Sequence, residues 1–336
     1  LKQRIIFTVS NAPGTVYKFK EFRNLGYTVI GLDANPNAVG RHFADEFRLV
    51  PYQKSKDYIS TLLKIIKETH ADILVGEEGE SLRLNEIKQQ IEELGCTLVA
   101  TDSNTLTKSL DKVHLFTFLK ANTDIPLPQF CEVNSLEEFN QGLMSMKSDK
   151  ICIKPARSSG SRGVIILEND IPDCEALFTK KMSFAEMSYT NFREVLKKSK
   201  KIPKLIMMEY LDDVNYDSNI VCRNGEILFQ SVKTREEAKI GTITQGTIIE
   251  HPEIELINHK IAASLKTTGL VSPQFIGNKL IEINPRWSTS LNFGSINEYL
   301  FGVQVFTNEE IRVDPEDRKN YPGLSMTRYW DVIIYK

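Results

Sequence analysis

Glu282 and Asn284 stand two residues apart in the run Lys279-Leu280-Ile281-Glu282-Ile283-Asn284-Pro285-Arg286. In a strand that spacing points both side chains to one face and sends Ile281 and Ile283 to the other. A carboxylate and an amide beside an apolar strand lose solvation that a partner must restore. A hard cation can do so: Mg2+ takes oxygen ligands in octahedral geometry, commonly one or two carboxylates completed by substrate phosphates. Upstream, Gln274-Phe275-Ile276 is also strand-like, and Gly277-Asn278 supplies the turn of a hairpin running from Pro273 to Trp287. A three-residue loop, Gly277 to Lys279, sets Gln274 opposite Glu282 and on its face; a two-residue loop sends Gln274 to the wrong face. The three-residue loop is the expectation, because it gathers Gln274, Glu282 and Asn284 as oxygen ligands. The plainer alternative is an edge hairpin with a solvated polar face.

A second stretch offers phosphate chemistry. Ile151-Cys152-Ile153-Lys154-Pro155 and Val164 to Leu167 read as strands, joined by Ala156-Arg157-Ser158-Ser159-Gly160-Ser161-Arg162-Gly163. No G-K-[ST] opens a helix here, so this is not a Walker loop. Small residues let backbone N–H groups approach phosphate oxygens, and Lys154 adds a point charge. A lid over phosphates is the expectation, against a long bland hairpin. Further on, Leu205 to Glu209 reads as a buried strand entering Tyr210-Leu211-Asp212-Asp213. Such a strand end can offer backbone groups to an adenine edge.

The elements that position these residues follow from hydrophobic period. Residues 4–100 alternate strands (Ile5 to Val9, Thr28 to Leu32, Ile73 to Val75, Thr97 to Ala100) with helices (Tyr17 to Leu25, Tyr58 to Lys67, Leu82 to Leu94). That series predicts a parallel sheet covered by helices. The first turn, Ser10-Asn11-Ala12-Pro13-Gly14, lacks the three glycines of a dinucleotide fingerprint, which argues against NAD. Glu77-Glu78-Gly79-Glu80 could hold a cationic substrate group, or be a solvated acidic loop at a helix start. Ile125-Pro126-Leu127-Pro128 reads as a linker, and residues 172–202 as helical and polar. A hairpin over Asp217 to Cys222 and Ile227 to Val232 turns at Arg223-Asn224-Gly225. A helix over His259 to Thr268 and a last strand over Trp330 to Tyr335 complete the pattern.

The 336 residues, 41% hydrophobic and 26% charged, are those of a globular chain with room for two or three subdomains. A formal charge of −2 gives no signal for nucleic acid or an anionic membrane. The basic run Lys197 to Lys201 reads as a solvated helix end. Five scattered cysteines without a C-x-x-C pair predict free thiols in a reducing, cytoplasmic setting. The five histidines make no zinc-ligand spacing. No apolar run approaches the roughly 20 residues of a membrane span. Leu1-Lys2-Gln3-Arg4 followed by Ile5 to Val9 mimics a signal peptide, but its apolar part is short and reads as a first strand. The chain opens on Leu1, so residues upstream of it are expected in the full protein.

In order, the pieces Ser109-Leu110-Asp111-Lys112, Ile153-Lys154-Pro155 with Ser159 to Val164, Met208-Glu209-Tyr210-Leu211, Gln274-Phe275 and Glu282-Ile283-Asn284-Pro285-Arg286 resemble the ATP-grasp superfamily. The likeness is to the carbamoyl phosphate synthetase large-subunit branch and its single-unit carboxylate–amine ligase relatives. It implies an α/β and α+β architecture: an N-terminal parallel-sheet pre-ATP-grasp domain (1–108), then a two-lobed ATP-grasp domain. Its lobes would be a linker helix and lid (109–205) and a C-terminal subdomain with the metal site (206–336). By motif position, Lys112 and Lys154 would contact ATP phosphates, and Ser159, Gly160, Ser161 and Gly163 would close over them. Glu209, Tyr210 and Leu211 would flank the adenine, with Asn215 near the ribose. Gln274, Glu282 and Asn284 would hold Mg2+, with Mn2+ able to stand in. Arg286, with Lys154, would act catalytically on the transferring phosphoryl group.

The implied reaction joins a small carboxylate to an amine through an acyl phosphate, releasing ADP. Alternatives are phosphorylation of bicarbonate or a small carboxylate in the manner of carbamoyl phosphate synthetase, and a non-catalytic nucleotide-binding module. Small-molecule partners, no nucleic acid and no membrane are implied, and a homodimer is compatible with the resemblance. Asn215 and Asn219 depart from the acidic residues that many relatives carry.

Overall fold

The computed structural model describes every residue except 1–2, 13, 147, 159–162, 170–184, 240–241, 287–297, 308–321, 330 and 336. The chain forms two compact units, one of Leu1–Thr107, Tyr216–Gln274 and Ile283–Lys336, the other of Lys108–Asn215 and Phe275–Glu282.

The first unit opens with β1 (Arg4–Phe7), α1 (Thr15–Asn24), β2 (Thr28–Asp33), a short 3-10 helix (Val39–His42) and β3 (Glu46–Leu49). α2 (Tyr58–Thr69), β4 (Ile73–Val75), α3 (Glu78–Glu86), α4 (Lys88–Glu93) and β5 (Thr97–Val99) follow. The strands make the expected parallel sheet, in the order β3-β2-β1-β4-β5. Strand alternation builds its two cores. Ile5 and Phe7 of β1 pack with Phe19, Phe22 and Val29, whereas Ile6 packs with Leu62, Ile66 and Leu74. Two elements differ from the sequence expectation. The edge strand β3 was not anticipated, because Glu46-Phe47-Arg48-Leu49 is only half apolar and pairs on one side. The helix expected over Leu82 to Leu94 is two helices, starting at Glu78 and interrupted at Ile87, whose φ is −109°.

After α5 (Ser103–Ser109) come α6 (Lys112–Asn122), β6 (Phe130–Val133), α7 (Leu136–Ser145), β7 (Ile151–Pro155), β8 (Ile165–Glu168), β9 (Ala185–Ser188), α8 (Tyr189–Lys198) and β10 (Leu205–Glu209). The second sheet runs β6-β10-β7-β8-β9 and is antiparallel except at β8–β9. Ile151 and Ile153 face a core with Phe139, Phe192, Leu196 and Met207. Alternation therefore turns Cys152 and Lys154 to the opposite face, beside their partners Met208 and Ile206. The helix expected over 172–202 is corrected in its described part. Residues 185–188 are strand β9, which extends the sheet on β8, and only Tyr189–Lys198 is helical.

The chain continues with β11 (Asn215–Arg223), β12 (Glu226–Thr234), β13 (Glu237–Lys239), β14 (Thr242–Ile249), α9 (Pro252–Leu265), β15 (Gly269–Ile276), β16 (Lys279–Asn284), α10 (Glu298–Thr307) and β17 (Ser325–Thr327). The third sheet is ordered β13-β14-β12-β11-β15-β16, with β17 on β14. The β11–β12 turn is the expected one: Asn224 and Gly225 both have positive φ, 51° and 85°, as a tight hairpin turn requires. The last strand is corrected. Residues 331–335 carry no strand, and the terminal pairing belongs to β17 instead. Period alone supplied that expectation, and a strand also needs a partner edge.

The β15–β16 turn is corrected too. Strand ends at Ile276 and resumes at Lys279, leaving a two-residue turn of Gly277-Asn278 rather than three residues. By the pairing rule above, that length takes Gln274 off the face of Glu282. Gly277 holds φ at 56°, its N–H donates to the Val214 carbonyl (2.9 Å), and a Cβ there would lie 2.7 Å from Asp213 Oδ2. Gly277→Val is expected to destabilise the chain by roughly 2 kcal/mol, from left-handed backbone strain and the displaced carboxylate. A shifted denaturant midpoint at unchanged slope is the readout, and an unshifted midpoint would contradict this account of the turn.

Candidate functional site

The polar face of β7 and the hairpin tip bring three charged groups together in the second unit. Lys154 projects from β7 and donates to the Ile281 carbonyl (3.3 Å). Lys112 opens α6, and its backbone N–H donates to the Ala156 carbonyl (2.9 Å), tying the helix start to the loop after β7. Its ammonium donates to the Ser158 carbonyl (2.8 Å). Both ammoniums converge on Glu282 Oε2, Lys112 Nζ at 3.6 Å and Lys154 Nζ at 3.8 Å. The two lysines are 5% and 6% exposed, so their charges sit where water screens them poorly. Lysines are rarely so buried unless paired.

Asp111 positions Lys112, a role the sequence reading did not give it. Its Oδ1 accepts from the N–H groups of Val113 and His114 (both 3.1 Å), capping α6. Its Oδ2 meets Lys204 Nζ at 3.3 Å and Arg157 Nε at 3.6 Å. Burial alone would raise the carboxyl's pKa; the His114 N–H bond and the Lys204 and Arg157 charges outweigh it and hold it below the ordinary value. A depressed folded pKa contributes stability that is present above the unfolded pKa and lost as pH falls through the folded one. Asp111→Ala is therefore expected to cost about 1–2 kcal/mol near neutral pH, mostly the lost cap. Asp111→Asn keeps a capping oxygen and should lose less, while flattening the acid limb of the stability–pH curve below about pH 4. Equal losses for the two variants would contradict the cap assignment.

Glu209, expected beside an adenine, has its side chain engaged within the chain. Its Oε1 accepts from Gln129 N (3.0 Å) and pairs with Lys279 of the hairpin tip. Burial would raise this carboxyl, but Lys279 and the Gln129 N–H bring it below the ordinary value. Residues 210–214 form no ladder, although the Tyr210 N–H donates to the Lys150 carbonyl (3.1 Å) and the Val214 carbonyl accepts from Gly277. The same tip is tied to the linker by Leu280 N, which donates to the Pro126 carbonyl (3.0 Å). Tyr210 and Asn215 are exposed and Leu211 is half-buried. Gly163 needs to be glycine: its φ is 76°, and a Cβ would stand 3.1 Å from the Pro155 ring. Ser159, Gly160 and Ser161 lie outside the described residues, as does Trp287.

In the first unit, β11, β12 and β15 carry a buried polar strip that includes Asn219. Asp217 lies opposite Lys233 and Asn219 opposite Ser231. With its amide oriented so that every bond is made, Asn219 accepts from Lys233 Nζ (3.1 Å). It then donates to Ser272 Oγ (2.6 Å) and the Ser218 carbonyl (3.1 Å). Asp217 pairs with Arg235 at 3.4 Å. Ser272 precedes Gln274 by two positions, so the strip runs along the strand that carries that candidate ligand. Asn219 is thus an internal strut. Asn284 is buried at the end of β16, and the Arg286 N–H donates to its carbonyl (2.9 Å).

In the acidic stretch after β4, the side chains of Glu77 and Glu80 are engaged within the chain. Glu77 and Glu80 form a capping box on α3, and Glu80 is buried against the Tyr58 hydroxyl. Burial pushes the Glu80 carboxyl up. Glu77 pairs with Lys18 at 3.3 Å, whose ammonium lies over the Phe7 and Tyr299 rings. Burial lowers the Lys18 pKa against the opposing pull of Glu77. No run of spaced motifs announces this pair, because Lys18 reads as a surface position of α1.

Among the described residues, no three or more His, Cys, Asp or Glu side chains cluster in a way that could hold a metal. None of their helices is long and apolar enough to cross a membrane.

Residues 6–99 match the family model described as PylC-like, N-terminal domain. No curated protein matches the chain by sequence. Solved structures do match in fold. N5-carboxyaminoimidazole synthetase from Staphylococcus aureus complexed with ADP aligns with TM-score 0.66 and 15% identity, over 93% of this chain and 80% of that one. The N5-carboxyaminoimidazole ribonucleotide synthetase of Thermotoga maritima aligns with TM-score 0.60 and 18% identity, over 94% and 78%. The biotin carboxylase domain of the Hydrogenobacter thermophilus 2-oxoglutarate carboxylase, in complex with MgADP, ADP and bicarbonate, gives TM-score 0.66 and 14% identity, over 94% and 72%. The shared feature at these identities is the fold.

Proposed function

We propose, on the premise that this chain has the ATP-grasp fold, that it is an ATP- and Mg2+-dependent ligase. It activates a small-molecule carboxylate as an acyl phosphate for attack by an amine. The observation that carries this reading is the convergence of two buried lysine ammoniums on the hairpin carboxylate Glu282. Buried cations on a strand and a helix start, beside a glycine-bearing loop, suit the phosphates of a nucleotide.

Lys112 and Lys154 bind phosphate oxygens, and the loop carrying Ser159, Gly160, Ser161 and Gly163 closes over them. The backbone at Glu209, Tyr210 and Leu211 borders the adenine, with Asn215 at the ribose. Glu282 and Asn284 would supply hard oxygen donors of the kind that suit Mg2+, which commonly takes one or two carboxylates together with substrate phosphates. Gln274 joins them only if the strand is bulged, given the two-residue turn. When bound, Mg2+ neutralises charge between phosphate oxygens.

The carboxylate oxygen attacks the γ-phosphorus, the bond to the β–γ bridging oxygen breaks, and ADP leaves. The amine nitrogen then attacks the acyl carbon, phosphate departs with the C–O electron pair, and the nitrogen loses a proton. Arg286 and Lys154 offset the charge that builds on the phosphoryl oxygens. No side-chain nucleophile is needed. Cys96, Cys131, Cys152 and Cys222 are free thiols, which supports a cytoplasmic setting.

A second reading takes bicarbonate as the carboxylate; the bicarbonate present in the 2-oxoglutarate carboxylase domain complex favours it. ADP and phosphate release with Mg-ATP, measured over pooled carboxylates and amines, tests both. Amine-dependent release from one pool is the expected result, and release that depends on bicarbonate selects the second reading. Bound ATP without turnover in any pool would contradict a ligase and leave a nucleotide-binding module.

A further inference from the structure

The second sheet has an apolar side behind the polar face on which Lys154 meets Glu282. On that side a cavity of about 170 Å³ opens between β7, β8, α8 and the segment that leads into β10. Ile153, Ile165, Phe192 and Leu205 wall it, and all four pack in the apolar core behind β7. Val195 of α8 also lines it yet is 47% exposed, so the cavity reaches the surface.

The rim differs in chemistry. Ser199 and Ile202 border the cavity, and around them run Lys197, Lys198, Lys200, Lys201 and Lys204, all exposed. Lys197 pairs with Glu194, and Lys204 with Asp111 and Glu132. Among the described residues, Lys198, Lys200 and Lys201 make no ion pair. We propose that this cavity binds a small apolar carboxylate, with its ring or short chain inside and its charge at the lysine rim. The site is independent of the nucleotide reading, because it lies on the other side of the sheet.

Size selects the body of the ligand. A cavity of about 150 Å³ lined by Leu, Ile and Phe stays dry and takes benzene. An empty apolar cavity forgoes dispersion contacts along its lining, and an apolar guest of that size restores them. A helical peptide would need several anchor pockets in register, whereas a cavity this small admits one ring. Charge selects the head group. An anion at the mouth gains from the unpaired ammoniums, and a neutral or cationic head does not. Because these lysines are exposed, that gain is modest and salt-screened.

The test titrates the full chain, labelled at its Ile, Leu and Val methyl groups, with phenylacetate and with its neutral counterpart phenylacetamide. Phenylacetate is expected to saturate with a Kd of roughly 0.1–1 mM and to shift the methyl signals of Ile165 and Val195. At low salt it should bind several-fold more tightly than the amide, and the difference should shrink at high salt. Val195→Phe fills the cavity from an exposed helical position and should weaken both ligands at least about tenfold. Lys200→Glu with Lys201→Glu should remove the preference for the acid and leave amide binding unchanged. That pair alters exposed positions only, so it decides the question even if Val195→Phe disturbs the fold. Absence of saturable binding, or binding that a folded Val195→Phe chain retains, would overturn the site. Equal affinity for acid and amide at low salt would overturn the carboxylate.

Discussion

Glu282→Ala is expected to reduce Mg-ATP turnover by about 10²–10³-fold or more while the chain stays folded. Glu282 contributes the one carboxylate that β16 places on the polar face of the hairpin, and Lys112 and Lys154 both converge on it. Removing it takes away the charged ligand for the cation and leaves two buried ammoniums facing each other. The fold should survive, because the β16 residues on either side, Leu280 and Ile283, remain buried in apolar surroundings. Far-ultraviolet circular dichroism should be unchanged and the melting temperature lowered, with nucleotide restoring part of it. Near-normal turnover would remove Glu282 from the metal assignment.

Lys154→Met is expected to weaken Mg-ATP binding by roughly 10–100-fold, the range for one charge-assisted hydrogen bond lost. Methionine keeps most of the apolar stem packed beside Ile206 on β10, so the sheet should hold. Titration calorimetry reads the change directly. Unchanged affinity would mean that Lys154 serves only to hold the hairpin tip through the Ile281 carbonyl and Glu282. The contrast with Asp111 is useful: its replacement acts mainly on stability, through the α6 cap.

The sequence exposed those parts of the fold that period and turn chemistry control. Ile73 to Val75, Ile151 to Pro155 and Leu205 to Glu209 are buried strands with the bounds their apolar runs suggest. Asn224-Gly225 is a turn because two consecutive positive-φ positions select those residues. Local signals failed where a neighbour decides the outcome. β9 reads as part of a polar helix, yet it exists by pairing with β8; residues 331–335 look like a strand, yet have no ladder to join. The hairpin loop length differs from the expectation for another reason: a shared ligand face favours three residues, whereas Gly277, at a φ of 56°, closes the turn in two.

Within the candidate site, lysines and carboxylate were legible one by one from their motifs. Their convergence was not, because it depends on how α6, β7 and the hairpin tip fold together in the second unit. Asp111 stands in the Ser109-Leu110-Asp111-Lys112 motif, and its position just before a helical run is an N-cap signal that names its role. The bond from Lys279 to Glu209 and the Lys233–Asn219–Ser272 strip left no trace in spacing, since each joins residues distant in the chain.

The measurement that bears most directly on the central claim is oxygen transfer from the acid to phosphate. The carboxylate that supports ADP release would be labelled with 18O, turned over with Mg-ATP and the amine, and the phosphate examined by 31P NMR. An acyl phosphate leaves one labelled oxygen in each phosphate released, which is the expected result. Phosphate free of label would mean that the γ-phosphoryl group passed to water or another acceptor, and would contradict the proposed activation of the carboxylate.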